Sequence, residues 1–200
     1  MLNRIVTGIH PEHVDTVGAK ISRQVAKALG LTTKAVQVCK VFTIDGLTTE
    51  QCQRLVDEAI LFDPILQVAE LGELNRTTPD YVIEVGFRPG VTDNEARTAR
   101  EACALALNIS RHDLAIYTST QYRITQDPAN PLKLSDIENI ARGFLCNTLI
   151  QRYRLKDAKE WQKEPGFPPQ AAKVSGAAQD EVQTIQLSQM DDASLTKISR

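Results

Sequence analysis

The most constraining feature of this sequence is an internal repeat that covers most of its length. Residues 4–11 (RIVTGIHP) are similar to residues 82–89 (VIEVGFRP), and later 64–67 (PILQ) corresponds to 148–151 (TLIQ). Apolar positions in the segments between them also match. Because similar sequences bury their apolar faces in similar ways, the repeat predicts that one small folding unit is used twice.

Both copies follow the pattern strand, helix, strand, helix, strand. Residues 81–87 alternate between apolar and small or polar side chains, which is typical of a half-buried strand. Middle strands are expected at 36–44 and 114–124, and final strands near 65–69 and 149–155. Each predicted helix has a single apolar stripe. The predicted fold class is therefore α+β, a two-layer α/β sandwich of two such units related by pseudo-two-fold symmetry.

Several segments carry the signal for a helix start. Thr48–Gln51, Thr92–Glu95 and Ser135–Glu138 each match the capping box, in which the first side chain accepts an N–H from the fourth residue. Asp15 and Asp93 recur at matching positions before the first helix of each unit. A functional carboxylate pair is one interpretation of these two, but helix capping accounts for both positions more simply.

The repeat and a change of composition after Trp161 define the expected domains. The first unit is expected over residues 1–78 and the second over residues 79–161. Residues 162–200 are rich in proline at first and then small and polar, so they predict a flexible linker. The free sheet face of each unit is expected to meet its counterpart in the other unit or a partner chain.

Composition excludes several classes of function. The 23 basic and 25 acidic residues give a net charge of −2, so no basic excess is available for nucleic acid. No apolar run approaches the roughly 20 residues that span a bilayer, and the N-terminus lacks a secretory signal. Four scattered cysteines predict buried free thiols rather than a metal site or disulfides, and a cytoplasmic protein is expected.

Residues that indicate catalysis or metal binding are scarce. His10 and His13 flank a proline, so a solvated turn accounts for them better than a metal site. Residues 86–90 lead into a helix N-terminus, where an anion can bind, but they lack the known phosphate-binding motifs. Arg97 and Arg100 lie one helical turn apart and face a ligand, a partner carboxylate or only solvent. The residues alone predict a duplicated module without an active site.

One run identifies a candidate family. Residues 82–100 (VIEVGFRPGVTDNEARTAR) resemble the signature of the PurS-like region of phosphoribosylformylglycinamidine synthase, and residues 41–48 fit the same pattern. The likeness covers about residues 3–160. Its tandem arrangement resembles the N-terminal part of a long-chain form, in which two PurS-like units precede the catalytic domains. The first copy departs from the pattern, because Glu12-His13 stands where the second copy has Gly90-Val91.

The resemblance implies a role in de novo purine biosynthesis. It also implies that the linker of residues 162–200 leads toward a missing catalytic domain. That ligase uses ATP and glutamine to convert formylglycinamide ribonucleotide to its amidine, and its PurS-like part docks the glutaminase against the synthetase. ATP and magnesium would bind in other domains, so no cofactor, catalytic residue or metal ligand is assigned to this chain, which is expected to turn over nothing alone. The family motif and candidate interface comprise Phe87, Arg88, Pro89, Gly90, Thr92, Asp93, Asn94, Arg97 and Arg100.

Two function classes therefore stay open. By resemblance, the expected partners are the synthetase and glutaminase domains or subunits of the same enzyme, or a second copy of this chain, with no nucleic acid and no membrane. The alternative is a free-standing regulatory module that senses a small ligand between its two α/β units. Binding of protein subunits favours the first reading, and binding of a small ligand favours the second.

Overall fold

The computed structural model describes residues 2–74, 78–171, 190–192 and 195–196. Its strands and helices, in chain order, are β1 (Leu2–Ile9), α1 (Thr16–Leu29), β2 (Thr33–Asp45), α2 (Thr49–Asp57), β3 (Gln67–Leu71), β4 (Tyr81–Phe87), α3 (Asn94–Leu107), β5 (Ala115–Gln126), α4 (Leu134–Ile140), a π-helical turn (Ala141–Leu145), β6 (Gln151–Asp157) and α5 (Ala158–Lys163). The strands form one six-stranded antiparallel sheet in the order β3-β1-β2-β5-β4-β6. The fold is therefore mixed α/β with a single sheet.

The two halves of the sequence join edge to edge at the centre of this sheet. β2 pairs with β5 along nearly its whole length, from Thr33 opposite Gln126 to Asp45 opposite Ala115. The expectation that the free faces of the two units pack on each other within the chain is wrong. Pairing β2 with β5 satisfies the backbone groups of both strands, whereas stacked sheets would have left those edges open.

Helices α1 to α4 pack on one face of the sheet, as their apolar stripes predict. One core joins α2 and α3, where Leu55 and Cys103 contact the side of the sheet that carries Ile5. The other core joins α1 and α4, where Val25 and Ile137 pack together. Each core thus combines a helix from each half of the chain, so the two halves bury their apolar surface jointly. The four cysteines are buried and free, as predicted.

The opposite face of the sheet carries a buried ionic network that connects the halves. The Arg4 guanidinium of β1 donates to both carboxylate oxygens of Glu84 on β4, at 3.2 and 2.7 Å. Arg123 of β5 pairs with Glu73, which follows β3. Between them, the Gln121 amide donates to Glu73 and to Glu84 at 2.9 Å each. These groups are nearly fully buried, and burial of a charge is tolerated because it is paired and hydrogen-bonded.

Residues after β6 cover part of this charged face. Trp161 and Phe167 are buried with ring centroids 6.3 Å apart, and the Arg154 guanidinium lies 4.8 Å from the centre of the Phe167 ring. The segment expected to be a linker, 162–200, therefore packs on the sheet at least as far as Phe167. Most of its remainder lies outside the described residues, and so does its predicted mobility. Among the described residues, no helix is long and apolar enough to cross a membrane.

The start of α2 agrees with the sequence and the start of α3 does not. Thr48 and Gln51 form the predicted capping box, with hydrogen bonds of 3.2 and 2.9 Å. The box predicted at Thr92–Glu95 is wrong, because Asp93 caps α3 instead. A carboxylate is a stronger acceptor than a hydroxyl, so the helix begins one residue later than Thr92 predicts.

Two boundaries in the second half are also displaced. The capping box predicted at Ser135–Glu138 is wrong, because α4 begins after Lys133, whose N–H donates to the Asp136 carboxylate at 2.8 Å. Here too an acidic side chain, three residues after the cap, determines where the helix starts. The final strands of the two halves begin at Gln67 and Gln151, two residues later than predicted, since a tight turn precedes each of them.

Candidate functional site

The Asp93 carboxylate connects a helix and a strand at the end of the sheet where the motif of residues 82–100 lies. One carboxylate oxygen accepts the Ala96 N–H at 2.8 Å and caps α3. The other oxygen accepts both the N–H and the hydroxyl of Thr118 at 2.9 Å. β4 does not pair with β5 before Ser119, so Asp93 satisfies a strand group that has lost its neighbour. The carboxylate therefore fixes the helix against β5.

Asp15 plays the same part in the first half of the chain. Its two oxygens accept the Gly18 N–H at 2.7 Å and the Val38 N–H at 2.6 Å. The second bond gives the Val38 N–H an acceptor that β1 does not provide, because β1 pairs with β2 only from Cys39 onward. Both aspartates are thus helix caps, as the simpler interpretation predicts, and each joins its own helix to a different middle strand, β2 or β5.

A cavity of about 350 Å³ opens beside Asp93, where β4 ends. Four arginines line it: Arg97 and Arg100 project from α3, and Arg152 and Arg154 from β6. Its apolar lining includes Phe87 at the end of β4. Cationic groups from two elements therefore converge on one concave surface, in a chain whose net charge is −2.

The acidic groups of this cavity are already engaged. Arg154 pairs with Glu84 at 2.7 Å, and Glu84 also accepts from Arg4 and from the Ser119 hydroxyl. Burial in itself raises the pKa of Glu84, but the hydrogen bonds and charge of Arg4, with help from Gln121 and Arg154, outweigh burial and lower it. Glu84 is therefore ionised and fully used within the protein.

Three of the four arginines lack such a counter-ion. Within the described part of the chain, Arg97, Arg100 and Arg152 make no ion pair. The Nε atom of Arg100 is buried without a hydrogen-bond partner among the same residues. The cavity therefore has a surplus of positive charge and unused donors, which is an arrangement that favours an oxyanion.

The structure divides the residues named from the sequence motif into two groups. Phe87, Asp93, Arg97 and Arg100 line the cavity. The others form the connection before α3, where Gly90 turns with a φ of +85°. That connection comprises Arg88, Pro89, Gly90 and Thr92, which are exposed, and Asn94, which begins the helix.

Arg88 has a role of its own in this connection. Its Nε donates to the carbonyls of Thr148 and Gln151, at 3.1 Å each, and its backbone N–H donates to Ile150 at 2.9 Å. Arg88 therefore holds the turn before β6 against the end of β4. Sequence reasoning missed Arg152 and Arg154, although two arginines two residues apart in a strand share a face and were a usable signal.

A second cavity, of about 420 Å³, lies at the matching place in the first half, beside Asp15. Ala19, Ser22 and Val68 occupy its walls where the other cavity has Arg97, Arg100 and Arg152. His10 and His13 also line it, with ring centroids 5.8 Å apart. In the described part of the chain, no group of three metal-ligating side chains is present. The His13 N–H donates to the His10 carbonyl at 2.9 Å, so the two histidines flank a turn.

A further feature is a tight turn that precedes the last strand of each half. In the first half, Asp63 N–H donates to the Gln67 side chain at 3.1 Å, and Ile65 N–H donates to the Asp63 side chain at 2.9 Å. The turn presents Ile65 and Leu66 to solvent, with exposures of 77% and 50%. Aliphatic side chains of this size are rarely left so exposed by chance when they adjoin each other.

The second half contains the same turn. Asn147 N–H donates to the Gln151 side chain at 2.9 Å, and Leu149 N–H donates to the Asn147 side chain at 3.2 Å. Leu149 and Ile150 are exposed by 85% and 42%. Since β3 and β6 are the two edge strands, the chain displays one apolar pair at each edge of its sheet. We call these pairs the edge turns.

No protein-family model and no curated protein sequence matches this chain.

Proposed function

We propose that this chain is the N-terminal structural and assembly region of a phosphoribosylformylglycinamidine synthase. In this proposal two PurS-like units, related by a pseudo-two-fold axis between β2 and β5, dock the synthetase and glutaminase parts of the enzyme. The catalytic groups, ATP and magnesium belong to those parts, and this chain catalyses nothing alone. The resemblance of residues 82–100 to the PurS-like signature is the sequence basis of the proposal.

Strand register supports the duplication on which the proposal rests. Ile5 lies opposite Phe42 in the first half, and Ile83 lies opposite Tyr122 in the second. These are the residues that the sequence repeat equates. At the centre of the sheet, Phe42 faces Thr118 and Val38 faces Tyr122, which are the same pair with the halves exchanged. A two-fold operation requires this reciprocity, because each contact must occur twice with the roles reversed.

The edge turns are the structural observation that best supports an assembly function. Two adjoining aliphatic side chains are exposed at each edge of the sheet, and hydrogen bonds of the same kind close both turns. Rigid apolar side chains lose little conformational entropy on binding, so they suit a protein interface. A chain with two such points at opposite edges can contact two bodies at once, which is what docking a glutaminase against a synthetase requires.

The test compares exposed leucines of equal accessibility. Leu149 of the second edge turn is 85% exposed and Leu105 on α3 is 84% exposed, so aspartate at either position leaves the core intact. The full chain, the double variant Ile65→Asp/Leu149→Asp and the control Leu105→Asp are each mixed with the synthetase and glutaminase of the same organism. Complex formation is followed by size-exclusion chromatography and binding titration.

The unaltered chain and Leu105→Asp should co-elute with both proteins and raise glutamine-dependent amidine formation, while the ammonia-dependent rate stays unchanged. The double variant should bind at least tenfold more weakly. Failure of the unaltered chain to bind either protein would contradict the assembly function. A double variant that binds as tightly as the control would remove the edge turns from the proposed interface.

The second candidate is a module that senses a small ligand. The arginine-lined cavity favours ligand binding, although it lies within the second half of the chain and not between the two units. In that case a small anion should bind the isolated chain, and the synthetase and glutaminase should not. The two candidates therefore predict opposite results when the same purified chain is offered the two proteins.

A further inference from the structure

The cavity beside Asp93 combines a surplus of positive charge with an apolar wall. Arg97, Arg100 and Arg152 line it without an ion-pair partner among the described residues, whereas Arg154 is held by Glu84 at 2.7 Å. Phe87 belongs to its apolar wall. Three free guanidinium groups beside an apolar surface are suited to a ligand that has both an anionic and an organic part.

The two carboxylates that line the cavity do not cancel this charge. Asp93 uses both oxygens within the protein, on Ala96 and Thr118, and Glu84 is engaged by Arg4 and Arg154. Rotation of either carboxylate toward Arg97 or Arg100 would leave buried donors unpaired, which is costly. The arginines therefore stay available to a ligand from solution.

The volume of the cavity and the type of hydrogen-bond donor that lines it limit the class of ligand. A volume of about 350 Å³ is at the small end of the range for ligand pockets, roughly 300 to 1,000 Å³. Guanidinium groups present pairs of N–H donors in a plane that match the oxygens of phosphate. Three of them, from α3 on one side and β6 on the other, exceed what a single carboxylate can accept.

We propose that this cavity binds a phosphate monoester of a small organic molecule, with the phosphate on Arg97, Arg100 and Arg152 and the organic part against Phe87. The site belongs to the second half of the chain. Ala19, Ser22 and Val68 stand at the corresponding places in the first cavity, which therefore lacks these three guanidinium groups. The inference is independent of the proposed assembly function, because it requires only the isolated chain.

The probe is phenyl phosphate, titrated into the purified full-length chain by calorimetry, with inorganic phosphate as a second probe and phenol as a third. Arg97→Gln, Arg152→Gln and the double variant are compared with Arg111→Gln, an exposed arginine outside the cavity. Arg97 and Arg152 are both exposed, so glutamine at these positions leaves the fold intact, and urea unfolding verifies this.

Phenyl phosphate should bind with a stoichiometry of one. The double variant should lose at least tenfold in affinity and Arg111→Gln less than twofold, and raised salt should weaken binding. Phenyl phosphate should bind more tightly than inorganic phosphate, and phenol should not bind. No binding of phenyl phosphate at millimolar concentration, or equal binding by the double variant, overturns the site. Equal affinity for the two phosphates overturns the role of Phe87.

Discussion

The cavity beside Asp15 and the cavity beside Asp93 have the same frame and different walls. In each, an aspartate caps a helix with one oxygen and holds a middle strand with the other. The walls differ, since His10 and His13 occur only in the first and Arg97 and Arg152 only in the second. The two aspartates that join helix to strand thus occur in both halves, whereas the side chains that line the two cavities differ.

The same contrast holds on the charged face of the sheet. Position 6 in β1 is a buried valine, whereas the matching position in β4 is Glu84, which binds Arg4 across two strands. The Arg4–Glu84 pair takes its cation from the first half and its carboxylate from the second, and the Arg123–Glu73 pair takes them the other way round. The two halves therefore depend on each other in this region, so a change to a charged residue in one half affects the other half.

The largest effect is expected when this dependence is broken. Glu84→Gln removes the charge that faces Arg4 and Arg154 and leaves a buried guanidinium without its main counter-ion, so the free energy of unfolding should fall by about 3 kcal/mol. Glu73→Gln is the matched control. Glu73→Gln also removes the counter-ion of the buried Arg123. Because burial raises the pKa of Glu73 and Arg123 keeps its bonds to Leu74 and Gln121, the loss should be smaller, about 2 kcal/mol.

Urea unfolding at neutral pH measures both values. Equal losses for the two variants would show that both carboxylates stabilise the network to the same extent, and would contradict the particular dependence on Glu84.

The pH dependence of stability should differ between the same two carboxylates. The pKa of Glu84 is lower in the folded protein than its ordinary value near 4.3, so its stabilisation is present above about pH 4.3 and is lost as the pH falls further. The pKa of Glu73 is raised, chiefly by burial, so its contribution has the opposite sign and stability is lost as the pH rises through its folded pKa.

Unfolding curves between pH 3 and 7 should therefore show a flatter acid limb for Glu84→Gln than for the unaltered protein. For Glu73→Gln the loss of stability just above about pH 4.3 should disappear. Parallel curves for all three proteins would exclude these pKa directions.

The first helices of the two halves, α1 and α3, differ in how closely they approach the sheet. A Cβ atom at Gly18 of α1 would lie 1.8 Å from the carbonyl oxygen of Val36, whereas α3 accommodates Ala96 at the matching position. Gly18→Ala should destabilise by about 1 to 3 kcal/mol, because the helix must move away from β2. Ala96→Gly should cost only about 1 kcal/mol, the usual propensity difference.

Thermal unfolding of the two variants ranks these costs. If Gly18→Ala were the milder change, α1 and α3 would sit at the same distance from the sheet.

The smallest effect on stability is expected at the edge turns. Leu149 is 85% exposed, so Leu149→Asp should change the free energy of unfolding by less than about 0.5 kcal/mol, and Ile65→Asp should behave alike. Urea unfolding provides the value. A loss above 1 kcal/mol at either position would mean that the turn packs against the protein, and would argue against its role as a docking point.

Much of the fold could be predicted because its causes are local. The alternation in residues 81–87 and the Thr48–Gln51 capping box both depend on neighbours in the sequence, and the corresponding strand and helix are present. For α3 the sequence predicts two competing caps, the Thr92 capping box and Asp93, and only the packed structure determines that Asp93 faces the free N–H groups. The start of α4 after Lys133 was missed, because the acidic side chain that fixes it lies within the helix, three residues after the cap.

The candidate site was predictable only in part. Arg97 and Arg100 could be singled out, since they lie one turn apart on a helix that the sequence predicts. Arg152 joins them from β6, more than 50 residues later, and no local pattern reveals that β6 lies beside β4. The same holds for the contact of Arg4 with Glu84, which depends on the central pairing of β2 with β5.

The most direct test introduces the three arginines of the second cavity at the corresponding positions of the first. The central claim is that the two cavities share one frame and that three side chains make the second an oxyanion site. The variant Ala19→Arg/Ser22→Arg/Val68→Arg places arginines at the corresponding positions of the first cavity. Calorimetric titration with phenyl phosphate should then give two equivalents per chain instead of one. A folded variant, verified by urea unfolding, that still binds a single equivalent would contradict the claim.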